Sequence, residues 1–505
     1  MAQTFKTPGV YINEINAFPN SVVEVATAVP AFIGYTAKAK RGDTDLTNVP
    51  TRITSMAEFE LYFGGPPKVE YDLAVATSGA VELTPAAESR FLLNCGMRFF
   101  FFNGGGPCWI VSIGGYVQDD GKPTKKQAAH FKAGLETLVK EPEPTMLVTP
   151  DAVLLPIGDW ADVGNRCLQQ CIEMQSRVAI LDVYDGHKPR DFTDDDVISG
   201  ANKGLRALIN AEKPSYGMAY YPWLNTSLVD ASEVNYRNLT AKSREALGRH
   251  VAAQWQALPG PAQPSAAQQA ELLAPLTAEP ADNDAPAVRR AHEALLAFSQ
   301  AYKTVMSELL EAINVMPPAA AMAGVYVRTD NEIGVFKAPA NTGIVSVVSP
   351  TVTISHDEQE DLNVPLDGKA INAIRTFAGR GVLIWGARTL DGNSQDWRYV
   401  NVRRTMIMLE QSIKAAAEAY VFAPNDSGTW LMVRNMIENF LNNQWKAGAL
   451  VGARPEDAYD VAVGLGSTMT AVDILDGYMR VTVRVAVVRP AEFIVITFQQ
   501  KMQTS

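Results

Sequence analysis

Residues that do chemistry are scarce in this chain. Among 505 residues there are 5 histidines and 4 cysteines. None of the histidines (His130, His187, His250, His292, His356) lies in an HExxH pattern or near a CxxC. No GxxxxGK[ST] loop, GxSxG elbow or helix-opening GxGxxG occurs, so zincins, P-loop enzymes, α/β-hydrolases and dinucleotide binders lose their usual signatures. The cysteines are too few for a disulfide framework at this length. Cys167 and Cys171 share a helical face with Val163 and Met174 and read as small apolar packing residues. Cys95 and Cys108 have no histidine nearby, so neither a catalytic site, a metal site nor a cofactor is expected. Excess positive charge is also missing. Lys and Arg number 44 against 55 Asp and Glu, a net charge of −11, which argues against a general nucleic-acid binder. The opening MAQTFKTPGV has no apolar signal core, and the most apolar stretch is broken by Arg484, Arg489, Pro490 and Glu492. No secretory leader or membrane insertion is expected, and synthesis and assembly in the cytoplasm are.

What is present is apolar and β-prone at both ends. Hydrophobic content is 47% and charged content 20%, enough for a large core. The length has room for about three domains. Val481 to Phe498 reads VTVRVAVVRPAEFIVITF, with strong β-propensity and a final run apolar on both faces. Such a strand needs cover on both sides and partners at its edges. Ser21 to Val29 is a second β-prone stretch behind an arm containing Pro8-Gly9 and Pro19-Asn20. The two ends suggest polymerisation by strand exchange, through Val22, Val23 and Val25 on one side and Phe493, Ile494, Val495, Ile496 and Phe498 on the other. The alternative is a sheet completed within one molecule.

Between the ends, residues 36–110 are rich in turns, and Asn103 to Pro107 forms a turn after the apolar run Arg98 to Phe102 and before another strand, Cys108 to Ile113. Residues 145–221 alternate strand and helix. Strands are expected at Met146–Thr149, Arg177–Val183 and Tyr216–Tyr221, and helices at about Trp160–Gln175 and Asp194–Ala211. That order predicts a parallel sheet with right-handed crossovers. Leu258 to Pro286 reads as an extended loop rich in Ala, Pro and Gln. After it, Val288, Ala291, Leu295, Phe298, Tyr302, Val305 and Leu309 form a heptad seam on one helix. A helical hairpin packed on itself is favoured over a docking surface for a partner. Further helices are expected from Val402 to Tyr420 and from Thr429 to Lys446, the latter closed by Gly448.

The acidic run His356 to Asp361 reads as a helix cap, not a cation site. Asp182, Asp185 and Asp194 to Asp196 stand near the end of a parallel strand, where α/β folds often bind ligands, but solvated loop acids are the favoured reading. Ser467 has no matching His-Asp pair and reads as a loop residue.

Several stretches, in order, resemble the contractile tail sheath family of phages, R-type bacteriocins and extracellular contractile injection systems. They are Thr7 to Ile12, Val29 to Gly34, Tyr220 to Leu224, Pro317 to Tyr326, Thr329-Asp330, Gly334 to Asn341, Gly381 to Leu390, Tyr399 to Arg404, Pro424-Asn425 with Trp430, and Arg489 to Ile494. The likeness spans nearly the whole chain except 225–312 and leans toward the extracellular injection system and related phage-tail branch. A two-component type VI secretion sheath fits less well, since arm, middle and C-terminal parts share one chain.

The resemblance implies an α/β and α+β multidomain fold. A core is built from N- and C-terminal segments with exchanged terminal β-strands, and a subtilisin-like α/β middle domain without protease activity carries a helical insertion. The expected segments are 1–35 (arm and strand), 36–334 (middle domain), 225–312 (outward-facing insertion within it) and 335–505 (C-terminal core and arm). The implied role is that of a structural subunit, not an enzyme. Copies would stack as hexameric rings in a helical sheath around an inner tube protein, between baseplate and terminal cap proteins, and contract to drive the tube through a target envelope. The particle would be a phage tail or a released injection device. Arg403, Arg404, Arg434 and Lys446, on the C-terminal helices, are the tube-facing candidates. A static tube or capsid protein, or an α/β hydrolase-like enzyme, are the competing readings.

Overall fold

The computed structural model describes residues 22–76, 79–86, 88–118, 121–259, 263–278 and 284–496. The chain divides into two compact units. Among the described residues, one holds 22–25 and 405–488, the other 26–404 and 489–496.

The larger unit is organised by an eight-stranded sheet. In spatial order the strands are Gly381–Trp385, Asn372–Phe377, Gly217–Tyr221, Val178–Asp182, Met146–Val148, Pro30–Thr36, Cys108–Gly115 and Thr51–Ile53. The six inner strands run parallel, and the two edge strands are antiparallel to their neighbours. Parallel sheets are covered on both faces, which demands continuous apolar runs. Pro30–Thr36, Val178–Asp182 and Gly217–Tyr221 are accordingly buried at every position. Phe32 meets Phe100 of the helix Leu93–Phe102, their ring centroids 5.0 Å apart. Ile33, on the opposite face, lies against Gly134 of the helix Ala128–Thr137. A Cβ at Gly134 would stand 2.7 Å from Ile113 Cγ2, so the close approach of helix and sheet requires glycine there.

Three strands and the helix Ile157–Met174 fall where the alternating pattern predicts. Elsewhere the structure corrects the sequence reading. The run Arg98 to Phe102 is helical, because Leu93, Met97 and Phe100 recur on a buried helical face while Phe102 is exposed. The expected helix at Asp194–Ala211 is mostly turns, with only Leu205–Leu208 helical. Asp196 holds that loop: its carboxylate accepts backbone N–H groups of Asp191, Phe192, Ile198 and Ser199 and pairs with Arg190. A short acid that satisfies nearby N–H groups competes with the helix.

The insertion is a helical subdomain with helices Ala241–Ala257, Ala266–Thr277, Ala285–Phe298 and Gln300–Ile313. The expected loop from 258 to 286 therefore contains a helix, started by a capping box at Ser265 and Gln268. The heptad seam is broken at Ser299, whose hydroxyl caps the following helix, and Phe298 is exposed while Leu295, Tyr302, Val305 and Leu309 are buried. The self-packed reading of these helices holds, with an added partner. Leu247, Trp255, Leu295, Tyr302 and Leu309 share one core with Tyr71 and Leu73 of the hairpin Tyr71–Val75/Val81–Pro85.

The structural division also differs from the expected segments. Pro30–Thr36 is a strand, as expected, but it belongs to the large sheet and not to one core with residues 405–488. Residues 335–404 belong with that sheet, because Asn372–Phe377 and Gly381–Trp385 extend it.

In the smaller unit, the helix Ser427–Lys446 is capped by Asp426 and buries Val433, Ile437 and Leu441, as its spacing predicts. Gly448 follows with φ +90°, a conformation that favours glycine. Tyr459–Val463 and Val481–Val485 form a two-stranded antiparallel sheet.

Candidate assembly site at the chain ends

Residues 22–29 form no strand. Val25 N–H donates to Ser412 Oγ at 3.0 Å, and Gln444 Nε2 donates to Glu24 Oε2 at 3.0 Å. Val22 and Val25 are half-buried and Val23 is exposed. Residues 22–25 are thus tied to helices of their own unit by single hydrogen bonds, without sheet pairing.

At the other end, Val481–Val485 is a strand whose partner among the described strands is Tyr459–Val463, so each strand of that hairpin has a further edge without a strand neighbour among the described residues. The chain then passes Arg489, whose guanidinium lies 3.7 Å from the Asp396 carboxylate at the surface. Glu492 sits in a built socket. It pairs with Arg388, with Nε at 3.0 Å and Nη2 closer still, and accepts from Asn363 Nδ2 at 2.8 Å and Tyr399 Oη at 3.2 Å. Arg388 is itself held, donating from Nη1 to the Asn363 and Gly392 carbonyls at 3.1 Å. The Arg388 side chain is 3% exposed and that of Glu492 19%. Burial pushes the Glu492 carboxyl up, but the bonds from Arg388 and Asn363 outweigh it and hold the group below its ordinary value. One residue later the environment changes. Phe493, Ile494, Val495 and Ile496 are 71%, 79%, 89% and 69% exposed and form no strand. Phe498 lies outside the described residues. An apolar run this exposed is unusual for a chain that works alone.

The tube-facing set divides. Arg403 and Arg404 are not surface charges, and this corrects the sequence reading. Arg404 forms a buried pair with Asp330, at 2.9 and 2.7 Å, and donates to the Thr27 carbonyl at 2.9 Å. Thr27 Oγ1 also donates to Asp330, at 2.6 Å. The Arg403 guanidinium stacks 3.6 Å from the Trp397 ring centroid and 4.4 Å from that of Tyr216, and donates to Ser215 Oγ. Both arginines open the helix Val400–Ala417, whose first turn is buried all round, so helical position alone did not reveal their fate. Arg434 and Lys446 are exposed, Arg434 pairing with Glu438 one turn on.

Of the acids near the end of the strand Val178–Asp182, Asp194 and Asp195 are exposed, as expected, and Asp185 is half-buried, but Asp182 is not solvated. Asp182 is buried and accepts the Ala319 N–H at 2.8 Å, at the start of the helix Ala319–Glu332. Burial raises its pKa from 3.8 to about 7. Asp151 is fully buried and accepts N–H groups of Tyr35, Leu92 and Leu93, at the start of Leu93–Phe102. Burial raises it too, against those hydrogen bonds. Each carboxyl is occupied in starting a helix. No group of three or more potential metal ligands occurs among the described residues, and no helix there is long and apolar enough to cross a membrane.

Sequence reasoning missed Arg388, Asn363, Tyr399 and Asp330. Arg388 and Glu492 each lie in a stretch that resembles the sheath family, but nothing in a single sequence pairs residues 104 positions apart.

Comparison with known proteins bears out the likeness. Residues 393–501 match the phage tail sheath C-terminal domain family. The tail sheath protein of Salmonella phage ViI is 28% identical over 137 residues, which are 27% of this chain and 21% of that protein. The chain thus spans about a fifth of the length of that relative. Solved structures match over nearly all of the chain. A chain of the anti-feeding prophage baseplate gives a TM-score of 0.60 at 26% identity, covering 99% of this chain and 100% of its own. One from the anti-feeding prophage helical sheath in the contracted state gives 0.59 at 27%, covering 99% and 100%.

Proposed function

We propose that this chain is the structural subunit of a contractile sheath, and that it performs no chemical step. The observation that carries this reading is end-to-end likeness to a chain of a contracted helical sheath, at 27% identity and a TM-score of 0.59. Copies stack as hexameric rings around an inner tube, starting from a baseplate and closed by a terminal cap. The extended lattice is metastable. Contraction forms new contact between subunits, and ~1,000 Å² of it releases a few kcal/mol per subunit after its costs. Assembly takes place in the cytoplasm, before the particle is used or released.

The terminal segments link the copies. Phe493 to Ile496 are exposed and have no strand partner among the described residues, and there the hairpin Tyr459–Val463/Val481–Val485 has backbone edges to offer. An added strand from a neighbour satisfies both, with main-chain hydrogen bonds giving affinity and alternate side chains giving register. Val22, Val23 and Val25 contribute the N-terminal side of the joint. The large sheet is the subtilisin-like middle domain in this reading, and the helical subdomain faces outward. Arg434 and Lys446 remain the tube-facing candidates.

Electron microscopy of the purified protein tests the reading. A sheath yields long and short tubes of different diameter. A static tube yields one form, and an enzyme yields none. The enzyme reading is further opposed by the roles of Asp151 and Asp182, which hold helix starts rather than line a reactive cleft.

A further inference from the structure

We propose that Glu492 anchors the exchanged C-terminal segment: its ion pair with Arg388 fixes the point where that segment leaves its own subunit, so the exchanged part begins at Phe493. This deepens the sheath-subunit reading and rests on it.

Three observations carry it. The first is the socket. Glu492 takes bonds from Arg388, Asn363 and Tyr399, and Arg388 is braced by two backbone carbonyls, so the carboxylate meets a rigid partner. A paired fork of this kind fixes direction as well as position. The second is the abrupt change that follows. Glu492 is half-buried, with its carboxylate held in the socket, yet each of the next four residues is at least 69% exposed. The third is register. Side chains alternate along a strand, so a slip of one residue would turn Phe493 and Val495 to the face meant for Ile494 and Ile496. This run is apolar on both faces, so its own pattern specifies register poorly. A fixed origin one residue upstream supplies what the pattern lacks. Arg489 and Asp396, near the surface, cannot do this, because exposed pairs hold little.

Nitroxide labels at Ala491→Cys and Val495→Cys, measured by electron paramagnetic resonance on the unpolymerised full-length chain, test the anchor directly. The label at 491 should be restricted and that at 495 mobile, and Glu492→Gln should make 491 as mobile as 495. Equal mobility at both positions in the parent chain overturns the proposal. Glu492→Gln should also raise the concentration needed for polymer formation at least tenfold with the monomer's melting transition still cooperative. Because a lone buried Arg388 could impair folding, the Arg388→Gln/Glu492→Gln pair is assayed beside it and should show the same assembly defect. Polymerisation of both variants at the parental concentration overturns the anchor. A chain ending at Glu492 separates this from the wider reading. If it polymerises like the parent, exchange of this segment is wrong. If it fails while Glu492→Gln assembles normally, only the anchor is wrong.

Discussion

Ala31 to Tyr35 and Phe493 to Ile496 are similarly apolar, yet they end in opposite situations. The first is a strand between two parallel neighbours, with helices on both faces and every residue buried. The second follows a part-buried ion pair and then lies open. Composition calls for burial in both cases without naming the partner. In the central sheet the partners are supplied by the same chain. At the C-terminal end they are not found among the described residues, and the sheath reading assigns them to another copy.

That contrast can be broken from either side, and the largest effect should come from the open end. Removing residues 493–505 should abolish polymers seen in negative stain while leaving the monomer's unfolding free energy within about 0.5 kcal/mol, as for exposed positions generally. Unfolding of the shortened chain would place the segment in an intramolecular core. In the sheet the pattern should reverse. Phe32→Ala removes a ring packed on Phe100 and should cost about 3–5 kcal/mol in denaturant titration, with polymer loss only as a consequence of unfolding. Asp330→Ala should cost about 3 kcal/mol, because it leaves the Arg404 guanidinium buried without its carboxylate. A smaller, pH-dependent effect belongs to Asp182. Its folded carboxyl keeps a proton up to about pH 7, while the unfolded one releases it near its ordinary value of 3.8. The native state therefore binds more protons between these values, and stability falls as pH rises through them. Asp182→Asn keeps an acceptor for the Ala319 N–H and should melt at about the parental temperature at pH 4, but about 2 °C or more above it at pH 8. The smallest effect is expected from Arg434→Gln with Lys446→Gln. Monomer stability should be unchanged, and tube-guided assembly should lose part of its salt sensitivity. An unchanged salt profile would remove both residues from the tube interface.

Much of the architecture was legible because buried parallel strands need uninterrupted apolar runs, as in Val178–Asp182 and Gly217–Tyr221. The exposed end was legible for a related reason, since a run like Phe493 to Ile496 asks for cover wherever it is placed. What stayed hidden depended on distant residues. Four phenylalanines in a row look like a strand until Leu93 and Met97 complete a helical face. Asp194 to Ala211 has helical composition, but the Asp196 carboxylate satisfies the backbone in a loop. The insertion's core includes Tyr71 and Leu73, far upstream, so a chain lacking only the insertion leaves that hairpin uncovered. Arg404 looks like a helix-surface charge until Asp330 and Thr27 are seen around it. The socket at Glu492 had signals at both ends, Arg388 and Glu492 lying in separate recognisable stretches, but only the fold joins them.

The most direct measurement is electron cryo-microscopy of the assembled polymer at a resolution that traces backbone hydrogen bonds. Residues 493–496 should appear as a strand on the edge of the Tyr459–Val463/Val481–Val485 hairpin of an adjacent copy. Finding them paired within their own copy, or unpaired throughout a stable polymer, would contradict the account.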